Sequence, residues 1–384
     1  MRLFAFGSNG SGQLGIGHQE DVSEPTQCLF TTHPESKTPT EHLNEEIKTI
    51  AAGGNHTLLL TKSGNVYATG ANQDGRCGPL SSPTTNPENV FNRLALSGGS
   101  GPVTSFTHVS ATWEGTILVA PESDADRVYV LGTNTKGELG VVEPLIADGA
   151  CIPDFPPPGT RVTALASGMA HSVAVLSNGD VWGWGAARKG QLGSENVVKT
   201  TAPVRIHVPF FAEEVVCGRE FSVVSGGGQF VVLGDKGNRW GVMQVPECFR
   251  VPGEASESSG LIRYKYSGIR ASWHGVYVHA AGSGGSGSEV ASLVAWGRND
   301  RGQIPPSTLP VPAMLAVGSE HAVALLEDGR VAACGWGEHG NCGSDLDALR
   351  NVADRVNIIS LPETVDGKVV GVGAGCATSW MIVD

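Results

Sequence analysis

Three histidines share one place in a recurring pattern. Gly53-Gly-Asn-His56, Gly168-Met-Ala-His171 and Gly318-Ser-Glu-His321 each set an imidazole three residues after a glycine. Three convergent imidazoles would suit a zinc ion, which takes nitrogen ligands tetrahedrally. The corresponding positions of similar blocks hold Gly115, Phe221, Gly275 and Cys376, so no complete ring of ligands exists. A structural role explains the histidines better. Each is expected to donate a hydrogen bond to the backbone of a neighbouring unit, since buried polar groups need partners. No metal site is expected, and Cys334 and Cys342 lack zinc-ligand spacing with any nearby histidine.

Gly10-Ser-Gly12-Gln-Leu-Gly15 has the form G-x-G-x-x-G. A dinucleotide fingerprint needs a strand before it and a helix after it. Leu3-Phe4-Ala5-Phe6 supplies the strand, but Ile16-Gly17-His18 with Pro25 soon after makes a poor helix. The closing G-x-x-G also recurs at Gly75, Gly137, Gly190 and Gly340, so a structural explanation suffices. No P-loop, nucleophile elbow or H-E-x-x-H motif is present. Asn55-His-Thr57 is a formal glycosylation acceptor that falls at the start of a repeat strand. No catalytic residue and no cofactor is expected.

The blocks that break the pattern carry more information. Thr112-Trp113-Glu114-Gly115 and Ser272-Trp273-His274-Gly275 stand where G-x-x-H should be, and Gly218-Arg219-Glu220-Phe221 puts a charged pair there. Tryptophan is favoured at binding hot spots because it buries a large rigid area with one polar handle. Trp113, Glu114, Arg219, Glu220, Trp273 and His274 are therefore the candidate partner-binding residues. The alternative is that both indoles fill space left by the missing histidines.

These residues are positioned by an internal repeat. Residues 47–78, 106–140, 162–193, 213–242, 262–304 and 312–343 share one register: G-x-x-H, an apolar run, a turn, a second apolar run, then spaced glycines. The runs are short and rich in Val, Leu and Ala, as strands buried on both faces should be. Asn178-Gly179 and Asp328-Gly329 between such runs are strong hairpin signals. The block at 213–242 departs from the closing glycine spacing. Residues 367–384 are the first half of a repeat and residues 1–27 a second half, so joining them completes a seventh blade and leaves no open sheet edge. The expected architecture is all-β, a single seven-bladed β-propeller over residues 1–384.

Composition agrees. Fifty-three glycines in 384 residues is about twice the usual share, while charged residues at 17% fall short of the usual quarter. Cys28–Glu46, Pro79–Ser105, Glu143–Gly159, Pro252–Gly260 and Ser344–Asn357 are rich in Pro, Ser, Thr and charge and are read as surface loops between blades. Gly282-Ser-Gly-Gly-Ser-Gly287 reads as a flexible tip inside the sixth blade. The net charge of −12 is the wrong sign for a protein whose main partner is a phosphate backbone, so no direct nucleic-acid binding is expected. No secretory signal or membrane-length apolar run appears. The eight cysteines are scattered without a C-x-x-C pair, which suits free thiols in a reducing compartment. The cytoplasm is the expected location, with the nucleus also open.

The register G-x-x-H, then G-x-V-y-x-W-G-x-N-x-x-G-Q-L-G, resembles the repeats of the regulator of chromosome condensation over nearly all of the chain apart from the insertions. Such propellers serve nucleotide exchange, ubiquitin ligation and scaffolding, so the resemblance is specific for fold and poor for function. A narrower resemblance runs from Phe6 through His18 and Asp21 to Pro25, which is similar to the opening of the fungal α-tubulin suppressor, or killer-toxin-insensitivity, family. That resemblance implies a non-enzymatic scaffold forming a heterodimer with a small zinc-binding electron-carrier protein of diphthamide biosynthesis. It also implies indirect support of Elongator-dependent wobble-uridine modification in transfer RNA. The rival expectation is a guanine-nucleotide exchange factor for a small Ran-type GTPase. A substrate adaptor for ubiquitin ligases is a third, with no ligase domain attached.

Overall fold

A computed structural model describes residues 1–31, 38–79, 89–98, 101–142, 149–194, 196–249, 262–263, 266–283 and 289–384. The chain is an all-β, seven-bladed propeller of antiparallel sheets. The first blade joins the two ends of the chain. From the hub outward it runs Val369–Ala374, Thr378–Val383, Arg2–Gly7 and Val22–Gln27, with Phe4 opposite Met381 and Gly7 opposite Thr378.

The second strand of each blade shows why the repeat reads as it does. His56–Thr61, Gly115–Ala120, His171–Leu176, Phe221–Gly226 and His321–Leu325 are buried at every residue. Each lies between neighbours in its own sheet and is covered on both faces by adjacent blades, so continuous apolar runs replace alternation. The core is therefore spread between blades. Phe221, Phe230, Phe249 and Trp296 pack between the fifth and sixth, and Trp184 with Phe155 packs between the third and fourth. The innermost strands neighbour one another around the whole ring.

Several outer strands lie inside segments read from sequence as loops. Phe91–Arg93, Ala150–Cys151 and Asn351–Ile359 are the fourth strands of the second, third and seventh blades. Phe30–Thr31 adds a parallel fifth strand to the second blade, where Phe30 stacks on Phe91 at 5.4 Å. Phe91–Arg93 and Ala150–Cys151 are too short, and Asn351–Ile359 too interrupted by polar residues, for an apolar run to announce them. Ile262–Arg263 pairs with Phe230 and Gln229, and so completes the fifth blade rather than opening the sixth. Pro252–Gly260 and most of the Gly282–Gly287 tip lie outside the described residues.

The glycine that opens G-x-x-H is fixed by close approach, not by backbone angle. A Cβ on Gly168 would lie 2.3 Å from His171 Cε1 and 2.3 Å from the carbonyl oxygen of Gly218 in the next blade. Gly53 and Gly318 are hemmed in the same way by His56 with Thr112 and by His321 with Gly375. Gly168→Ala is expected to lower stability by about 1–3 kcal/mol, the usual range for overpacking. Adding His171→Ala should not restore the thermal midpoint, because the Gly218 carbonyl cannot move aside. Full recovery in the double variant would assign the constraint to the imidazole alone.

Candidate partner-binding face

The turns between first and second strands of successive blades are tied by backbone hydrogen bonds around the hub. The N–H of Gly54 donates to Trp113 O at 2.9 Å, Trp113 to Met169 O at 2.9 Å and Met169 to Arg219 O at 3.3 Å. Arg219 N–H then donates to Trp273 O, Trp273 to Ser319 O and Ser319 to Gly375 O, each at 3.0 Å. These turns form one face of the disc, so all six candidate residues share it.

Trp113 and Trp273 stand on blades three apart, yet their rings meet at 5.5 Å with planes 46° apart. They close this end of the central channel over a cavity of about 60 Å³. The Arg219 guanidinium lies over the Trp273 ring at 5.2 Å, and its Nε is 3.3 Å from Met169 Sδ. Space at the missing histidines is taken by other groups. A Cβ on Gly115 would meet Thr112 Oγ1 at 2.8 Å, and one on Gly275 would meet Ser272 Oγ at 3.0 Å. The indoles, half-buried, are thus free to lean over the hub.

The other candidates surround this pair without joining it. Glu114 lies 3.8 Å from Arg76, and Glu220 lies 4.0 Å from Lys189. His274 packs against Trp240 at 6.0 Å. Burial, then the charges of Arg219, Arg298 and Arg239, pushes its pKa down to about 4, so it is neutral at physiological pH. An arc of residues the repeat pattern did not single out continues from there. Arg239 and Arg298 each lie 4.6 Å from the Trp240 ring, and Arg301 lies 5.4 Å from Trp336. Glu320 is paired with both Arg298 and Arg301. The only sequence signal for this arc was Trp240 and Trp336 beside the closing glycines.

The repeat histidines each reach a neighbouring blade. His56 Nε2 is 3.0 Å from Thr116 Oγ1, His171 Nε2 is 3.0 Å from Ser222 Oγ, and His321 Nε2 is 2.9 Å from Ser379 Oγ. Ser222 and Ser379 donate onward to Gln191 O and Asn341 O, so His171 and His321 carry their proton on Nε2. The neighbouring blade was expected to answer through its backbone, and it does so at Gly115, Phe221 and Thr378, with its hydroxyls as further partners. The register also corrects one equivalence. Thr378 pairs with Gly7 as His56 pairs with Gly70, so Thr378 rather than Cys376 holds the histidine position in the first blade.

The G-x-G-x-x-G at residues 10–15 has its amide protons engaged within the loop. Ser11 N–H donates to Gln13 Oε1, Gly12 to Asn9 O, Leu14 to Asn9 Oδ1 and Gly15 to Gly12 O. A phosphate would have to displace them. Asn72, Asn134, Asn238 and Asn299 each accept an N–H five residues on in other blades, so the motif is the standard closure of a blade.

Blade number, loop closure and register agree with a match to the RCC1-like domain model over residues 2–381. The chain belongs to the RCC1-like domain family. An RCC1 repeat-containing protein of Schizosaccharomyces pombe is 31% identical over all of this chain and 99% of its own length. The mouse secretion-regulating guanine nucleotide exchange factor is 26% identical over 97% of this chain and 82% of its own. Among solved structures, Prp20p of Saccharomyces cerevisiae superposes with a TM-score of 0.70 at 19% identity, covering 100% of this chain and 91% of that one. That likeness establishes the RCC1-like fold.

The histidines make stability depend on pH. Burial is the main cause that drives His56 down to about 3 and His171 and His321 to about 4. These values lie below the unfolded value of about 6.5, so the unfolded chain binds more protons and stability falls as pH drops through that window. Each histidine contributes a slope of up to about 1.4 kcal/mol per pH unit. Thermal midpoints measured from neutral pH toward pH 5 should fall, and His321→Gln should flatten the fall. An unchanged slope in that variant would mean that His321 takes up its proton alike in the folded and the unfolded chain.

Proposed function

We propose that this RCC1-like propeller is a non-enzymatic scaffold that docks a protein partner on its hub-turn face. The Trp113–Trp273 contact beneath Arg219 carries the reading. Two half-buried indoles and an arginine at the centre of a face, ringed by charge, have the composition of a binding hot spot. The two thiols that line the cavity beneath them, Cys217 and Cys376, are pushed up to about 12 by burial, which keeps them protonated and poor nucleophiles.

The partner we favour is the small zinc-binding protein of diphthamide biosynthesis, in a heterodimer that supports diphthamide synthesis and, indirectly, Elongator-dependent transfer RNA modification. The stretch from Phe6 to Pro25 supports this choice. Its His18, Asn9 and Asp21 form a compact hydrogen-bonded turn at the rim of the same face, where Asp21 Oδ2 meets His339 Nδ1 at 2.7 Å. Residence in the cytoplasm, with access to the nucleus, belongs to this proposal.

A second reading, exchange of guanine nucleotide on a small Ran-type GTPase, is favoured by the name of the mouse relative that aligns with nearly the whole chain. Calorimetric titration of the zinc protein into wild type and Trp273→Ala separates the two. Tight one-to-one binding, weakened by roughly 2 kcal/mol or more in the variant, is expected. Absence of heat, together with faster nucleotide release from the GTPase, would replace the first reading with the second.

A further inference from the structure

The hub-turn face carries a feature that the net charge conceals. Between the third, fourth and fifth blades runs a groove of about 810 Å³ bordered by Lys136, Arg188, Lys189, Lys199, Arg219 and Lys236. Six of the chain's 26 Lys and Arg residues meet there, in a molecule of net charge −12, and among the described residues Glu220 is the one carboxylate lining it. Glu220 answers Lys189 at 4.0 Å, while Lys136, Arg188 and Lys236 have no ion pair among the described residues. All three are exposed.

Lys236 owes its place to the irregularity of the fifth blade. In the first, second, third and sixth blades an asparagine follows the closing glycine by two residues, as Asn9 follows Gly7 and Asn299 follows Gly297. In the fifth it follows by four, from Gly234 to Asn238, and the lengthened loop includes Asp235 at φ 49°. The amide of Lys236 donates to Lys189 O at 3.1 Å, which sets the extra turn against the groove.

We propose that this groove is a docking channel for an acidic, extended segment of a partner protein that carries an apolar side chain. The cations supply charge complementarity, which speeds encounter and fixes register. Val198, 67% exposed, and Met169 supply an apolar seat beside them. A single-stranded nucleic acid would want aromatic side chains on which to stack its bases, and none of the described residues lining the groove is aromatic. The inference rests on the reading that this face binds protein, but it does not depend on the zinc protein being the partner.

The test uses the full chain and a labelled peptide rich in Asp and Glu with one leucine, followed by fluorescence anisotropy. Saturable binding at low ionic strength, weakened severalfold at physiological salt, is expected. The double variant Lys136→Glu/Lys236→Glu should lose on the order of tenfold or more in affinity with an unchanged thermal midpoint. Arg188→Ala should give a smaller loss in the same direction. Arg330→Glu, at a hairpin turn on the opposite face, should have no effect. Binding that survives the double variant, or an oligouridylate that binds as tightly and with the same sensitivity, would overturn the proposal. So would a peptide that fails to bind at all, and that failure would leave the zinc-protein titration to be judged separately.

Discussion

The hub depends on one repeated interaction, an amide of one turn donating to a carbonyl of the next. Six such bonds pass from Gly54 through Trp113, Met169, Arg219, Trp273 and Ser319 to Gly375. Each adds only about 0.5–1.5 kcal/mol net, but leaving any of these groups buried without a partner would cost more. The bonds use main-chain atoms alone. The residue at the second place of each turn is thereby held in position whatever its side chain is. Gly54, Met169 and Ser319 occupy it in three blades, Trp113, Arg219 and Trp273 in three others. Main chain carries the architecture there, which leaves the side chains to carry recognition.

The flanking places of the same turn are coupled by space. Where an imidazole or phenyl ring stands at the fourth place, as at His171 or Phe221, the ring folds over the first, and at Gly168 the Gly218 carbonyl closes in as well, so the first must be glycine. Where the fourth is glycine, at Gly115 and Gly275, a hydroxyl residue stands first and the ring is dispensed with. Both tryptophans occur in this second kind of turn. Their blades have given up the histidine link to the next blade, and in exchange the hub gains an aromatic contact of roughly 0.5–1.5 kcal/mol beyond its buried area. The charged arc around it is organised by Glu320, which holds Arg298 and Arg301 together while Arg298 also covers Trp240.

Much of this was legible in the residues. The G-x-x-H register and the Asn-Gly and Asp-Gly turns give the blades, because strands buried on both sides must be continuous apolar runs and their hairpins must reverse tightly. The division of one blade between the two ends follows from the half-repeats. The outer strands were hidden, since Asn351–Ile359 sits at a sheet margin where polar residues serve as well as apolar ones and Phe91–Arg93 is only three residues long. The candidate residues were visible as departures from a pattern, but not the meeting of Trp113 with Trp273. That depends on the diameter of the hub, which no local spacing encodes. The basic groove was invisible for a similar reason: its lysines and arginines come from three blades and are outnumbered along the chain by acids.

The first blade has a consequence for the history of each molecule. Arg2–Gly7 leaves the ribosome ahead of the other strands of the ring, and its partner Thr378–Val383 comes after all of them. Six blades can assemble from neighbours as they are made, each resting on the one before. The ring as a whole waits for that closing strand, when Phe4 meets Met381 and a spiral becomes a disc. Only then does Gly375 accept from Ser319, and only then does the hub reach its working diameter. A nascent chain therefore holds nearly all of its secondary structure before it holds a binding face, and competence to recognise a partner arrives in one late step.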